Sequence, residues 1–321
     1  MRRWHVVTFV ALLIVQSCAS SQPYEQSYMR ASYNWVFRRE YPRADRLFNA
    51  FDYGHAILSE TLIRHPDVAA ARLEGPEREF IVTRLLRHPP RVPLDEQAIA
   101  PVYAQLVPEA VETFEWAHEL HRQVYDIIAD QVLTPDERTG RVAEALRYYR
   151  SRRDLALSST PKSMALMEGQ GYSLAFRRMA PRYNRLIWSY HWLQMGLYDA
   201  LLRTNDYRER HVAVDAAVNR FFAMLSDSST VPSAMPMSAA IAPLFSERYP
   251  EAAIIFDNLH SLHDVVSDIL ASPTVPKSDK RAAILTALAN YRDSTSFITT
   301  RTEWVEMSRA MGLEQMGGAI P

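Results

Sequence analysis

Apolar residues recur at three- and four-residue steps along almost the whole chain after Tyr28, and this spacing constrains the fold more than any other feature. Such a period places apolar side chains on one face of an α-helix. No segment shows the strict alternation of a half-buried strand, and nine glycines in 321 residues are too few for a fold built on many tight β-turns. The sequence therefore predicts an all-α fold: a multi-helix bundle with a central four-helix core and shorter peripheral helices.

Prolines mark the beginnings of several predicted helices, because the first helical turn tolerates their missing N–H group. Pro42, Pro108 and Pro250 each begin a long apolar period, and Thr134-Pro135 is followed by two acids, a typical helix start. The segment 227–236, rich in Ser and Pro, is predicted to be a loop. The predicted helices lie near residues 28–40, 43–65, 76–87, 95–106, 108–132, 135–155, 171–179, 181–203, 206–226, 237–247, 250–271, 277–292 and 298–311.

The N-terminus has the pattern of a secretory signal. Met1-Arg2-Arg3 is basic, an apolar run extends from Val6 to Val15, and the chain's only cysteine, Cys18, follows three residues later. The apolar run is shorter than the roughly 20 residues that span a membrane. An ordinary signal peptide, or an uncleaved anchor with a chance cysteine, would share these features.

The segment Val15-Gln16-Ser17-Cys18 resembles the lipobox of bacterial lipoproteins, in which the cysteine becomes the first mature residue and carries the lipid. The resemblance implies a lipoprotein signal peptide at 1–17, a lipidated tether at 18–27 and a single helical domain at 28–321. It also implies a cell-envelope protein attached to the membrane through Cys18. Because Ala19 rather than Asp follows the cysteine, the expected location in a Gram-negative cell is the outer membrane, facing the periplasm.

Composition excludes several classes of function. One cysteine excludes an intrachain disulfide framework and any Cys-based zinc or iron–sulfur site. A net charge of −1 argues against a nucleic-acid partner. The chain also lacks a P-loop, Gly-x-Ser-x-Gly, His-Glu-x-x-His and Cys-x-x-Cys-His, and the last absence excludes the usual covalent attachment of haem.

Three predicted helices carry the pattern Phe, acid, two residues, His, at 51–55, 114–118 and 256–260. An acid and a His three residues apart share one helix face, where they can bind one metal ion or the acid can orient the imidazole. Two copies continue at the same three-residue step, and a fourth long helix adds a mid-helix His191. These further residues are Glu112 and His121 in the second copy and His263 in the third.

This arrangement resembles, in its logic, the di-metal carboxylate bundles, which combine Glu residues with Glu-x-x-His elements on four helices. The candidate ligands are Asp52, His55, Glu115, His118, His191, Asp257 and His260. Outer or alternative ligands are Glu60, Glu112, His121 and His263. An imidazole-rich site without thiolates suits Fe, Mn, Zn or Cu. The Phe before each acid is expected to point about 100° away from the site, into the surrounding core.

Three functions compete at this point. The first is a lipid-anchored metal protein, which would be an oxidoreductase handling dioxygen or peroxide. The second is a non-enzymatic lipoprotein that binds an envelope protein partner through its helical surface. The third is a noncovalent haem-binding bundle with two facing histidines as axial ligands. The alternative to a functional site is that each acid–His pair is a structural pair within its own helix, with the three pairs far apart.

Overall fold

The computed structural model describes residues 27–321, so the signal peptide, Cys18 and most of the tether lie outside the described residues. Within them the chain is helical, and the sole β-type pairing is an isolated bridge between Lys162 and Ile298. The prediction of an all-α, multi-helix fold is confirmed. In this part of the chain, no helix combines the length and apolarity needed to cross a membrane.

Seventeen α-helices follow one another along residues 27–321. They are α1 Val36–Glu40, α2 Pro42–Arg64, α3 Ala69–Arg72, α4 Arg78–Phe80, α5 Glu96–Ile99, α6 Pro101–Leu106, α7 Pro108–Ala129, α8 Pro135–Ser151, α9 Met164–Glu168, α10 Ala175–Met179, α11 Pro181–Leu202, α12 Tyr207–Ser226, α13 Ser238–Ile241, α14 Pro243–Arg248, α15 Pro250–Ala271, α16 Lys280–Arg292 and α17 Arg301–Ala310. Short 3₁₀ turns at Pro66–Val68 and Glu314–Met316 and π-helical turns at Leu73–Glu77 and Ile81–Leu85 complete the chain.

Four long helices form the centre of the molecule. Helices α2 and α7 each pack against both α11 and α15. Each of the four has proline at its first position, as the sequence indicates for three of them. Nearly every residue of α7, α11 and α15 is buried, so other parts of the protein cover these helices around most of their circumference. One continuous hydrophobic core surrounds the four helices and joins them to the shorter ones.

Several predicted boundaries are wrong, each for a local reason. The helix predicted at 28–40 begins only at Val36, because Trp35 has a left-handed backbone with φ 71°. The helix predicted at 76–87 is broken into short α and π turns, one of which contains Pro76, which cannot donate a backbone hydrogen bond. The helices predicted at 95–106 and 237–247 are each split in two by a proline, Pro101 or Pro243.

The two halves of the domain repeat one pattern of hydrogen bonds. The carboxylate of Asp126, near the end of α7, accepts two backbone N–H groups at the start of α1, at 2.8 and 2.9 Å. Asp268, at the same place in α15, accepts two at the start of α10, also at 2.8 and 2.9 Å. In both places the residue before the short helix has a left-handed backbone: Trp35 with φ 71° and Leu174 with φ 66°. A bulky residue rarely adopts this conformation, so its occurrence at the same place in both halves supports a structural repeat.

The repeat extends to the helices of the core. Helix α7 follows α6 at the same spacing as α15 follows α14, and all four begin with proline. Helices α2 and α11 also begin with proline, each directly after the short helix that an aspartate holds. Helices α1, α2, α5, α6, α7 and α8 therefore correspond in order to α10, α11, α13, α14, α15 and α16. We infer an internal duplication in which each copy, 36–151 or 175–292, covers about two fifths of the described chain.

Candidate metal centre

Six buried histidines meet between the four central helices. Helix α2 carries one of them, α11 another, and α7 and α15 two each; they are His55, His191, His118, His121, His260 and His263. Ring centroids lie 4.1 Å apart for His55 and His263, and 4.0 Å apart for His191 and His260. His118 lies 5.5 Å from His263. The structure thus brings the histidines of four helices together, and the acid–His pairs are not isolated on separate helices.

Three of these imidazoles form a group that could hold one ion. His55, His191 and His263 each offer one ring nitrogen, and these three atoms lie within 4.8 Å of one another. Both ring nitrogens of His55 and of His191, and Nδ1 of His263, have no hydrogen-bond partner. Among the residues that the structure describes, no other group of three His, Cys, Asp or Glu side chains meets this distance. His263, an outer candidate in the sequence, therefore belongs to the central group.

The other three histidines are partly engaged. The hydroxyl of Tyr198 donates to the backbone carbonyl of His121 at 2.8 Å and lies 2.8 Å from Nδ1 of the same residue, so Nδ1 is the donor in the second contact. Nε2 of His260 lies 3.1 Å from the side-chain oxygen of Gln194. His118 has Nδ1 3.8 Å from Asp52. One nitrogen of each ring remains without a partner, and these rings pack around the central three.

Burial keeps all six imidazoles neutral. It lowers the pKa of His55 to about 3 and that of His260 to about 3, because charging a ring in the core costs solvation. Burial also depresses the pKa of His191 and His263, and the neighbouring rings add to the effect. The neutral imidazole is the form that binds a metal ion, so no proton has to leave before an ion enters.

The predicted carboxylate ligands are held by other groups. Asp52 pairs with Arg122 at 2.8 Å, and burial raises its pKa to about 6. Glu115 accepts the backbone N–H of Glu96 at 3.0 Å, and Asp257 accepts the backbone N–H and hydroxyl of Ser238, at 2.9 and 2.6 Å. Glu115 caps the short helix α5 and Asp257 caps α13, because a helix N-terminus has free N–H groups to which a buried carboxylate can bind.

The outer acids are also placed away from the three central imidazoles. Glu60 accepts the backbone N–H groups of Val102 and Tyr103, at 2.7 and 3.0 Å, and thereby caps α6. Glu112 is exposed on the surface of α7. The three-residue step that suggested Glu112 drifts around the helix by about 60° per step, so the first member of the series faces solvent.

The three phenylalanines do not point away from the histidines. All three are buried, and each packs against an imidazole: Phe51 at 4.2 Å from His55, Phe114 at 4.0 Å from His263, and Phe256 at 4.1 Å between centroids from its nearest imidazole. Phe51 contacts the histidine one turn further along its own helix, whereas Phe114 and Phe256 each contact a histidine of a neighbouring helix, because the helices pack closely. The phenylalanines therefore form the walls of the site.

The duplication relates the ligands in pairs and shows where the halves differ. When the first residues of α7 and α15 are aligned, His118 corresponds to His260, and His121 to His263. When the first residues of α2 and α11 are aligned, His191 has Asp52 as its counterpart, and His55 has Gln194. The counterparts of the three central imidazoles are therefore one histidine, one amide and one acid: His121, Gln194 and Asp52. An arginine already pairs with the acid.

Glu96, which no sequence pattern indicates, is the acidic residue of the cavity beside the site. Glu96 is the first residue of the four-residue α5, and its side chain lines a cavity together with His55 and His263. Burial raises its pKa well above the ordinary value, as do the neighbouring acids Glu115, Asp52 and Asp95. Its position at the start of so short a helix carries no signal in the sequence.

The chain matches no protein-family model, no curated protein and no solved structure. Fold and site together define a class of protein: an all-α domain, duplicated within one chain, whose four central helices enclose a group of buried neutral imidazoles.

Proposed function

We propose that this chain is a lipid-anchored protein of the bacterial envelope that holds one transition-metal ion through His55, His191 and His263. The single observation that carries the metal site is the separation of their three ring nitrogens, all within 4.8 Å of one another. Three imidazoles leave a further coordination position open, which is typical of metal sites that bind or convert an exogenous molecule. Redox chemistry on a small molecule is the activity that this arrangement favours.

The energetics of burial support this proposal. Each imidazole nitrogen buried without a partner costs about 1–3 kcal/mol of stability. His191 is fully buried with both nitrogens unpartnered, and His55 also lacks a partner at both. Packing alone would be served better by leucine at these positions. A metal ion supplies the missing partner for one nitrogen of each ring and adds its binding free energy to the native state.

One ion is favoured over the two of the di-metal bundles. In the related position, Asp52 is bound to Arg122 and the amide oxygen of Gln194 contacts His260, so two of its three groups already have partners. The positive charge of Arg122 also disfavours a second cation there. Neutral imidazole ligands suit Fe, Zn or Cu more than the oxygen-preferring Mn.

The two alternatives receive less support. The cavity beside His55 and His263 has a volume of about 20 Å³, room for one or two waters rather than a porphyrin ring. The three most exposed of the large apolar side chains outside the first hundred residues, Val132, Val212 and Ile298, lie on separate segments. Isolated apolar residues of this kind are ordinary on a protein surface and do not define a docking face for an envelope partner.

Metal titration of the detergent-extracted full-length protein tests the proposal. After treatment with chelator and removal of the chelator, we expect the wild type to bind one Co²⁺, Fe²⁺, Cu²⁺ or Zn²⁺ per chain. His191→Leu should weaken binding at least about 100-fold, since loss of groups that only support a ligand costs 10–100-fold. Elemental analysis and the visible spectrum of the Co²⁺ form provide the measurements.

A surface histidine gives the matched control. His88 is exposed and outside the cluster, so His88→Leu should bind metal as the wild type does. Equal binding by the wild type and His191→Leu would contradict the assignment of the ligands. A stoichiometry of two ions would restore the di-metal site, and no binding of any of the four ions would reject the metal function.

A further inference from the structure

A small cavity lies beside the three imidazoles. Two of the proposed ligands, His55 and His263, line it together with Phe114. These two ligands are also slightly exposed: 9% of His55 and 6% of His263 is accessible to solvent, whereas His191 is completely buried. Two of the three proposed ligands therefore border this cavity.

The walls of the cavity are mainly apolar. Ser59 and Ser267 line it, but the hydroxyl of Ser59 is bonded to the carbonyl of Ala56 and that of Ser267 to the carbonyl of His263. Both hydroxyls thus donate their hydrogen bond to a backbone carbonyl of their own helix and not into the cavity. Leucine, valine and phenylalanine side chains form most of the remaining wall. A charged molecule would lose its hydration here with little compensation, so the passage favours uncharged molecules.

Size sets the second limit. The cavity volume is about 20 Å³, and a single water needs about 10–15 Å³ by the same measure. A molecule of about two heavy atoms fits without movement of the helices, and a sugar, peptide or aromatic compound does not.

We propose that this cavity, lined by His55, His263, Ser59, Ser267 and Glu96, admits an uncharged ligand of two heavy atoms, the class of dioxygen and hydrogen peroxide, to the open position of the metal. The proposal rests on the metal site proposed above. Glu96 is the acidic residue among the lining groups, and it places a carboxyl group beside the incoming ligand.

The test uses nitric oxide, an uncharged diatomic molecule, on the full-length protein loaded with Fe²⁺ under anaerobic conditions. In the wild type we expect the EPR signal of a ferrous nitrosyl to form rapidly in stopped-flow and freeze-quench experiments. Ser59→Phe and Ser267→Phe place a ring in the cavity from opposite helices. Each should leave Fe²⁺ binding intact and slow the formation of the nitrosyl at least about tenfold, the effect of about 1.4 kcal/mol on the entry barrier.

Two further variants keep the result interpretable. Ser59→Val fills the cavity partly and folds more readily, so it should give a smaller slowing in the same direction. Ser226→Phe adds the same ring at an exposed position at the end of α12 and should react as the wild type does.

The outcomes separate the two proposals. Unchanged nitrosyl formation in all three cavity variants, with Fe²⁺ bound, would overturn the entry path and leave the metal site standing. Fe²⁺ binding in the wild type without any nitrosyl signal would do the same. Failure of the wild type to bind Fe²⁺ or any other tested ion would overturn both the metal site and the entry path.

Discussion

At the scale of single residues, His191 is the most unusual side chain of the molecule. It is completely buried at the middle of α11, both its nitrogens lack a partner, and its ring stacks on His260 at 4.0 Å. Buried polar groups in native proteins are nearly always hydrogen-bonded, and exceptions are concentrated at functional sites. The imidazole is therefore retained at a cost to the stability of the metal-free protein.

His191→Leu should consequently stabilise the metal-free protein. Leucine fills a similar volume and removes two unpaired polar atoms, so we expect the free energy of unfolding to rise by about 1–3 kcal/mol. Urea denaturation in the presence of chelator measures this change. Saturating metal should reverse the order, because only the wild type gains the binding free energy of the ion.

A lower stability of metal-free His191→Leu would contradict this account, since it would mean that the imidazole packs better than leucine without any ligand. The control His88→Leu should have the same stability as the wild type with and without metal, because His88 is exposed.

At the scale of helices, sequence patterns predicted the core well. Proline at the first position and the apolar period located the beginnings of α2, α7 and α15 within one residue. The failures occur where a distant side chain decides the backbone: α1 begins at Val36 because the carboxylate of Asp126, 89 residues away, accepts the N–H of Phe37. A contact of this range leaves no trace in the local sequence.

The candidate site shows the same division. The three-residue spacing identified five of the six clustered histidines, and the mid-helix position of His191 supplied the sixth. His263, an outer candidate in the sequence, lies in the group of three. The acids of the same pattern were misassigned, because Glu115 and Asp257 cap the short helices α5 and α13, and these helices were not resolved as separate elements in the sequence. Which partner a buried acid takes depends on the tertiary packing, and spacing within one helix does not contain it.

The carboxylate of Asp126, which joins α7 to α1, should make the stability depend on pH. Burial raises its pKa from the ordinary 3.8 to about 7. The native state therefore binds this proton more tightly than the unfolded state, and the associated stability is complete below about pH 4 and is lost as the pH rises through about 7. Asp126→Asn does not titrate, so the wild type should lose stability relative to this variant between about pH 4 and 7.

Denaturation of both proteins by urea across this range measures the effect, with a slope of at most about 1.4 kcal/mol per pH unit for one proton. The exposed Asp227 supplies a control. Its carboxyl lies at a surface turn, where its pKa is lowered and not raised, so Asp227→Asn removes no buried carboxyl of this kind. A difference between wild type and Asp126→Asn that stays constant with pH would contradict the burial of a protonated carboxyl.

At the scale of the whole molecule, the duplication explains how one chain builds a site from four helices. Each half supplies two helices to the site. One of them, α7 or α15, carries two of the clustered histidines, and the other, α2 or α11, carries one. Phe114-Glu115 and Phe256-Asp257, each followed by histidines at the same spacings, are the visible remains of the repeat in the sequence. Divergence of the halves to Asp52 and Gln194 then leaves one complete group of three imidazoles.

Attachment to the membrane is the last property of the whole molecule that the sequence predicts, and it concerns residues outside those described. Cys18 follows a short apolar run, and no helix in residues 27–321 could serve as a membrane span. Cys18→Ser should abolish labelling with a palmitate analogue and move the protein from the membrane fraction to the carbonate-soluble fraction, because a run of about ten apolar residues holds a bilayer poorly. Ser21→Ala, in the tether, should remain labelled and membrane-bound. A wild type that is unlabelled, and that sediments with membranes to the same extent as Cys18→Ser, would contradict the lipid anchor.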